Sequence, residues 1–110
     1  MYTKKIVDGY IMKTVTYDKR LEYCPYGSAG IINQADGGIV MVSYTTPVCG
    51  ITADGWAWCS GTYSATTRKH IGAFCKEYGE GVLDYHVMKA LAMNGEMLNM
   101  DTMEIVKAEQ

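Results

Sequence analysis

The sequence predicts an α+β fold, an antiparallel sheet of five to six strands built from hairpins and packed by one or two C-terminal helices. Two observations carry this prediction. Three Asp-Gly steps, Asp8-Gly9, Asp36-Gly37 and Asp54-Gly55, each stand between runs rich in β-branched and aromatic residues. Asp-Gly is a preferred pair for tight hairpin turns because it adopts positive φ at low cost. After Tyr63 the apolar residues instead recur at the spacing of a helix face.

The first Asp-Gly step would join Tyr2–Val7 to Tyr10–Tyr17, the second Gly30–Gln34 to Gly38–Tyr44, and the third Val48–Ala53 to Trp56–Gly61. Pro47 marks a bend or an edge position, since proline donates no ladder hydrogen bond. For the third hairpin, a two-residue Asp54-Gly55 loop pairs Ala53 with Trp56 and sets Cys49 opposite Ser60. A three-residue loop starting at Ala53 would set Cys49 opposite Cys59. The two-residue loop is the expectation, and it places the two cysteines on opposite faces. Between the first two hairpins, Cys24-Pro25-Tyr26-Gly27-Ser28-Ala29-Gly30 reads as an irregular loop.

Thr67, Ile71, Phe74, Cys75 and Tyr78 form one apolar stripe of a first helix. Ser64 or Thr66 would cap its start, and Gly79 would end it in the left-handed conformation. Gly72 sits mid-helix, at a cost of about 1 kcal/mol relative to alanine. A second helix over Asp84–Met93 gathers Tyr85, Met88, Leu91 and Ala92 on one face and stops at Asn94-Gly95. Met103–Lys107 reads as a final strand, with a short helix as the alternative.

The chain has 110 residues, the size of a single α+β domain spanning 1–110. Its formal net charge of −2, with both signs interspersed, argues against strong attraction to nucleic acid or anionic lipid. No apolar run reaches the length of a signal-peptide core or a membrane helix, which implies a cytoplasmic protein. The four cysteines, Cys24, Cys49, Cys59 and Cys75, form no Cys-x-x-Cys pair. Reduced thiols without metal are therefore expected, and no cofactor is implied. His70 and Cys75 stand about 140° apart on a helix and are poorly placed to share a metal.

The candidate binding residues are Tyr63, Ser64, Thr66, Thr67, Arg68, Lys69 and His70. They cluster at a helix start, where unpaired N–H groups and the macrodipole favour anions. Arg68 and Lys69 oppose that dipole, which points to an external anion on a partner. The plain alternative is a Ser/Thr cap with solvated basic neighbours. His70 would need a partner to do acid–base chemistry; Ser64 and Glu77 are candidates by position, but no catalytic signature supports them, so no enzyme is expected. Trp56 and Trp58 alternate on one strand and share a face, giving either core, a stacking platform for bases, or a partner-binding patch.

Val42-Ser43-Tyr44-Thr45-Thr46-Pro47-Val48 followed by Gly61-Thr62-Tyr63-Ser64-Ala65-Thr66-Thr67-Arg68-Lys69-His70-Ile71 resembles a family of small uncharacterised proteins of bacteriophages and gut bacteria. The resemblance covers roughly residues 39–78. It implies a phage-associated accessory protein that binds a host protein, with an RNA-guided defence nuclease as the candidate target, in the manner of an anti-CRISPR inhibitor. A nucleic-acid-binding module using the Tyr63–His70 turn is the alternative. A small zinc protein or an enzyme centred on His70 is the third reading.

Overall fold

The computed structural model describes residues 2–7, 10–15, 17–25, 28–61 and 64–108, with residues 2–7 and 10–15 described by their backbone alone. Strands β1 (Tyr2–Val7) and β2 (Tyr10–Val15) form a two-stranded antiparallel sheet, with Val7 opposite Tyr10. The Asp8-Gly9 turn expected between them lies outside the described residues, as do Tyr26 and Gly27 of the expected loop.

A second sheet holds seven strands in sequence order: β3 (Lys19–Arg20), β4 (Ala29–Asn33), β5 (Ile39–Ser43), β6 (Thr46–Ile51), β7 (Trp56–Cys59), β8 (Glu96–Asn99) and β9 (Ile105–Lys107). Every neighbouring pair is antiparallel. Helices α1 (Ala65–Tyr78) and α2 (Tyr85–Asn94) are inserted between β7 and β8. The α+β architecture is the expected one. The sheet gains β3 and β8, only two and four residues long and too short to show a period in the sequence, while β9 falls within the final strand expected over Met103–Lys107.

The second and third hairpins share one construction. Gln34 N–H donates to Gly38 O and Gly37 N–H to Gln34 O; Thr52 N–H donates to Trp56 O and Gly55 N–H to Thr52 O. Each loop is therefore three residues, Ala35-Asp36-Gly37 and Ala53-Asp54-Gly55, ending on a glycine with φ of 97° and 90° respectively. This is a type I turn followed by a left-handed bulge residue, which glycine alone adopts without strain. The two-residue Asp54-Gly55 loop is thus overturned. Side-chain bonds decide the outcome: Thr52 Oγ1 donates to Asp54 Oδ1 at 2.6 Å and accepts from Trp56 N–H at 3.0 Å, closing the longer loop. Cys49 stands opposite Cys59 rather than Ser60, on the same face of the sheet.

That face is the core. Ile31, Met41, Val48, Cys49, Ala57 and Cys59 of the sheet pack against Ile71, Ala73, Phe74 and Cys75 of α1 and Met88 and Leu91 of α2. A bulge helps to fill it. Met41 pairs with Cys49 and Val42 with Pro47, so Val48 is the extra residue and both Val48 and Cys49 turn inward. Pro47 sits beside this bulge in an interior strand, where its missing N–H is tolerated. Burial pushes the Cys49 thiol well up, with Cys59 and Cys75 adding to it, and pushes Cys75 up to about 12, with Asp84 second. Cys59 is also raised by burial.

Ser64 caps α1, accepting from Thr67 N–H at 3.4 Å. Asp84 caps α2, accepting from Val87 N–H at 2.8 Å, and the helix stops at Gly95 as expected, in the left-handed conformation. Gly79 differs from expectation. It closes α1 with φ of −79° and ψ of −9°, a right-handed conformation. Space is what demands glycine there, since a Cβ would come within 2.3 Å of the Cys75 carbonyl oxygen. The left-handed residues follow it, Glu80 and Gly81. Lys19 of β3 pairs with Glu77 of α1, whose other oxygen accepts from Glu22 N–H at 2.7 Å. Burial raises the Glu77 carboxyl, but Lys19 and the Glu22 N–H outweigh it and hold the group below its usual value.

Candidate functional site

The two halves of the Ser-Tyr/Tyr-Ser-x-Thr-Thr-x-x-His pattern meet in space. Ser43 ends β5 on the core face, directly beneath the first two turns of α1. Its hydroxyl lies 2.8 Å from His70 Nδ1 and 3.2 Å from Thr67 Oγ1. Ser64 donates more weakly to Thr67 Oγ1, at 3.4 Å. Ser43, Thr67 and His70 are only 3%, 5% and 1% exposed. Burial lowers the His70 pKa, so the imidazole is neutral near pH 7. Ser43 thus links Thr67 and His70 in one hydroxyl–imidazole chain, in which the neutral ring donates or accepts at Nδ1 according to its tautomer.

Tyr44 covers this network from outside. Its ring centroid is 6.1 Å from that of His70, and the side chain is 52% exposed. Tyr44 opens the two-residue β5–β6 turn with φ of 59°. A non-glycine residue pays roughly 1–2 kcal/mol for that conformation. Its backbone is fixed from both sides: Tyr44 N–H donates to Ser28 O at 2.6 Å, and Tyr17 Oη–H donates to Tyr44 O at 3.0 Å.

The expected site therefore divides. Tyr63 lies outside the described residues. Ser64 is spent on capping, and Thr67 and His70 are buried. The partner of His70 is Ser43, not Ser64 or Glu77, because the first turns of α1 lie over the end of β5, whereas Glu77 reaches Lys19 at the far end of the helix. Thr66, Arg68 and Lys69 remain exposed. Arg68 N–H already donates to Ser64 O, so the basic pair starts after the helix's unpaired N–H groups. Arg68 and Lys69 instead turn toward α2 and line a shallow, open depression with Ala65, Tyr85 and His86. Among the described residues neither forms an ion pair. Tyr85 and His86 are additions that sequence reasoning missed. The signal was their place directly after the Asp84 cap, which fixes them in the first turn of α2. No group of three or more metal-ligating side chains gathers among the described residues, and no described helix is long and apolar enough to cross a membrane.

Fold and site together define a small α+β meander protein whose two-part Ser/Tyr/Thr/His pattern locks strand to helix and leaves a basic helical face outside. The chain belongs to a family of unknown function (DUF8033), whose profile matches residues 11–88. That match takes in both halves of the pattern and all five residues of the depression. No curated protein and no solved structure matches the chain.

Proposed function

We propose that this protein acts by binding an acidic surface of a protein partner through the face formed by α1 and α2. One observation carries the reading: Arg68 and Lys69, exposed and without an ion pair among the described residues, stand with Tyr85 and His86 around a depression too open for a small metabolite. Arginine and tyrosine are enriched where interfaces concentrate their energy. Unpaired cations beside an aromatic ring fit a carboxylate-bearing surface. The view that the partner is a bacterial host protein, such as a defence nuclease met by a phage-borne inhibitor, draws on the motif resemblance alone. It sets where to look first.

The test is affinity capture from a bacterial lysate with the parent chain and with Arg68→Glu/Lys69→Glu. A protein retained by the parent and lost from the folded double variant supports the reading. Equal retention by both sinks it. Retention of nucleic acid, with affinity falling steeply as salt rises, transfers the same residues to the alternative of a phosphate-binding module.

A further inference from the structure

The face of the sheet opposite the helices carries a second, chemically different feature. Ile32, Val40 and Val42 point away from the core and form their own apolar cluster, partly covered by Tyr17 and Trp58. Beside them lies a recess of about 400 Å³, walled by Ile32, Val40, Pro47 and Trp58 and rimmed by Asn33, Gln34 and Ala35. That volume falls within the range of small-ligand sites, about 300–1,000 Å³. Trp58 is held from below. It pairs across the strands with Gly50, and a Cβ at position 50 would come within 3.0 Å of its six-membered ring. The ring therefore lies down on the bare backbone of β6, half-exposed, as one wall of the recess.

The chemistry of the lining narrows what would fit. None of its seven residues is ionisable, so the recess offers nothing to a phosphate, carboxylate or ammonium group. One primary amide stands at its rim, that of Gln34, which follows Ile32 on the recess face by strand alternation. The main-chain N–H of Gln34 is spent on Gly38 O at 2.8 Å, whereas its side-chain amide has no hydrogen-bond partner among the described residues. An apolar side chain from a protein would leave that amide idle. A flat ring with donors and acceptors along its edge would stack on the indole and pair with it, since glutamine amides match base edges and aromatic rings stack on base faces.

We infer that the Trp58 recess binds a nucleobase, stacked against the indole and read at its edge by Gln34, with sugar and any phosphate left outside. The base can come from a free nucleoside or from an unpaired position in a single strand. The site lies across the sheet from Arg68 and Lys69 and does not depend on the function proposed for them.

The experiment is titration of the full chain with adenosine, guanosine, cytidine and uridine, and separately with short single-stranded homo-oligonucleotides. Ribose 5-phosphate serves as the base-free control. Binding is followed by tryptophan fluorescence and by amide and indole NMR shifts. Saturable quenching by at least one nucleoside is expected, with shifts confined to Ile32, Val40, Trp58 and the Gln34 side-chain amide, and with no response to ribose 5-phosphate. Trp58→Leu should weaken binding roughly tenfold, within the range of single base–aromatic stacks. Gln34→Ala, at an exposed position, should alter the preference among bases while keeping the fold. A response to oligonucleotides much tighter than to the matching nucleoside assigns the site to unpaired strands, and equal responses assign it to free nucleosides. Absence of saturation with every base at millimolar concentration overturns the inference. So does binding unchanged in both folded variants.

Discussion

His70 and Ser43 show how one pair of side chains ties the helical layer to the sheet. A histidine at the edge of an apolar stripe is ordinarily half-buried with one hydrogen bond, and this one is nearly sealed. Its burial has a consequence for stability. The unfolded chain takes up a proton on this imidazole near 6.5, while the folded chain refuses it until lower pH. Stability is therefore complete above about 6.5 and is lost progressively as pH falls toward the depressed folded value. Urea unfolding between about pH 8 and pH 5 should show this loss, with a slope no steeper than one proton per pH unit. His70→Asn should flatten that segment. A profile equally steep in the variant would assign the loss to other groups. Glu77, held below 4.5, sheds its contribution at lower pH and does not overlap this window. Ser43→Ala should cost about 1–3 kcal/mol, because it strands His70 Nδ1 in the core and leaves the Thr67 hydroxyl only its weak bond from Ser64. His70, Thr67 and Ser64 were legible in the sequence as a cluster, and Thr67 as part of the apolar stripe. The full burial of His70 against Ser43 was not, because a cap and an anion site share residue types, and only the strand passing beneath decides between them.

The hairpins and the helices differ in how much of each could be read. The helices were legible in place, since Ser64, with Thr66 as its alternative, and Gly95 are chemical signals at their ends, whereas Asp84, expected as the first residue of α2, caps it instead. The sheet's register was not, because Asp-Gly marks a turn without fixing its length. The signal that would have fixed it was present: both loops read Ala-Asp-Gly, and in the third hairpin Thr52 stands ready to close the longer loop. The one-residue difference moves Cys49 from the Ser60 position to face Cys59. The flanking Val48 and Ser60 exchange a ladder bond, Ser60 N–H donating to Val48 O at 2.9 Å, so Cys49 and Cys59 occupy a close, non-hydrogen-bonded pair. That spacing is compatible with a disulfide. Reactivity argues the other way. Cys49 is fully buried, Cys59 and Cys75 nearly so, and all three thiols are raised by burial, whereas thiolate exposed to solvent is what reacts. Brief alkylation of the folded chain near pH 8, read by mass spectrometry, should label half-buried Cys24 and spare the other three. Denaturant should make all four reactive. Labelling of Cys59 as fast as Cys24 would mean that β7 opens readily from β6.

At the scale of the whole molecule, the seven-stranded sheet separates two surfaces of different chemistry. The helical side is closed by the core and presents cations outward. The other side has no helix among the described residues and presents the Trp58 recess. Trp56 and Trp58 were legible as sharing a face; which face they share follows only from Ala57 and Cys59 turning into the core. The proposed partner contact requires that its charges be expendable for folding, and the structure supplies the grounds to expect this. Arg68 and Lys69 are exposed and form no ion pair among the described residues. With Ser64 as the cap, they fall in the fourth and fifth helical positions, where the macrodipole is already fading. Arg68→Glu/Lys69→Glu would gain a few tenths of a kcal/mol from that dipole. It would also change the net charge from −2 by two charge units at each site, which adds self-repulsion to the folded chain. The two effects oppose each other, and the unfolding free energy should stay within about 0.5 kcal/mol of the parent, as exposed substitutions usually do. Raising the salt concentration should move the variant toward greater stability relative to the parent, because screening weakens the spread-out repulsion more than the local helix term. Parallel urea titrations at low and high salt measure both. A loss of several kcal/mol in the double variant would mean that the basic pair holds α2 against α1, and any loss of binding would then be a loss of fold.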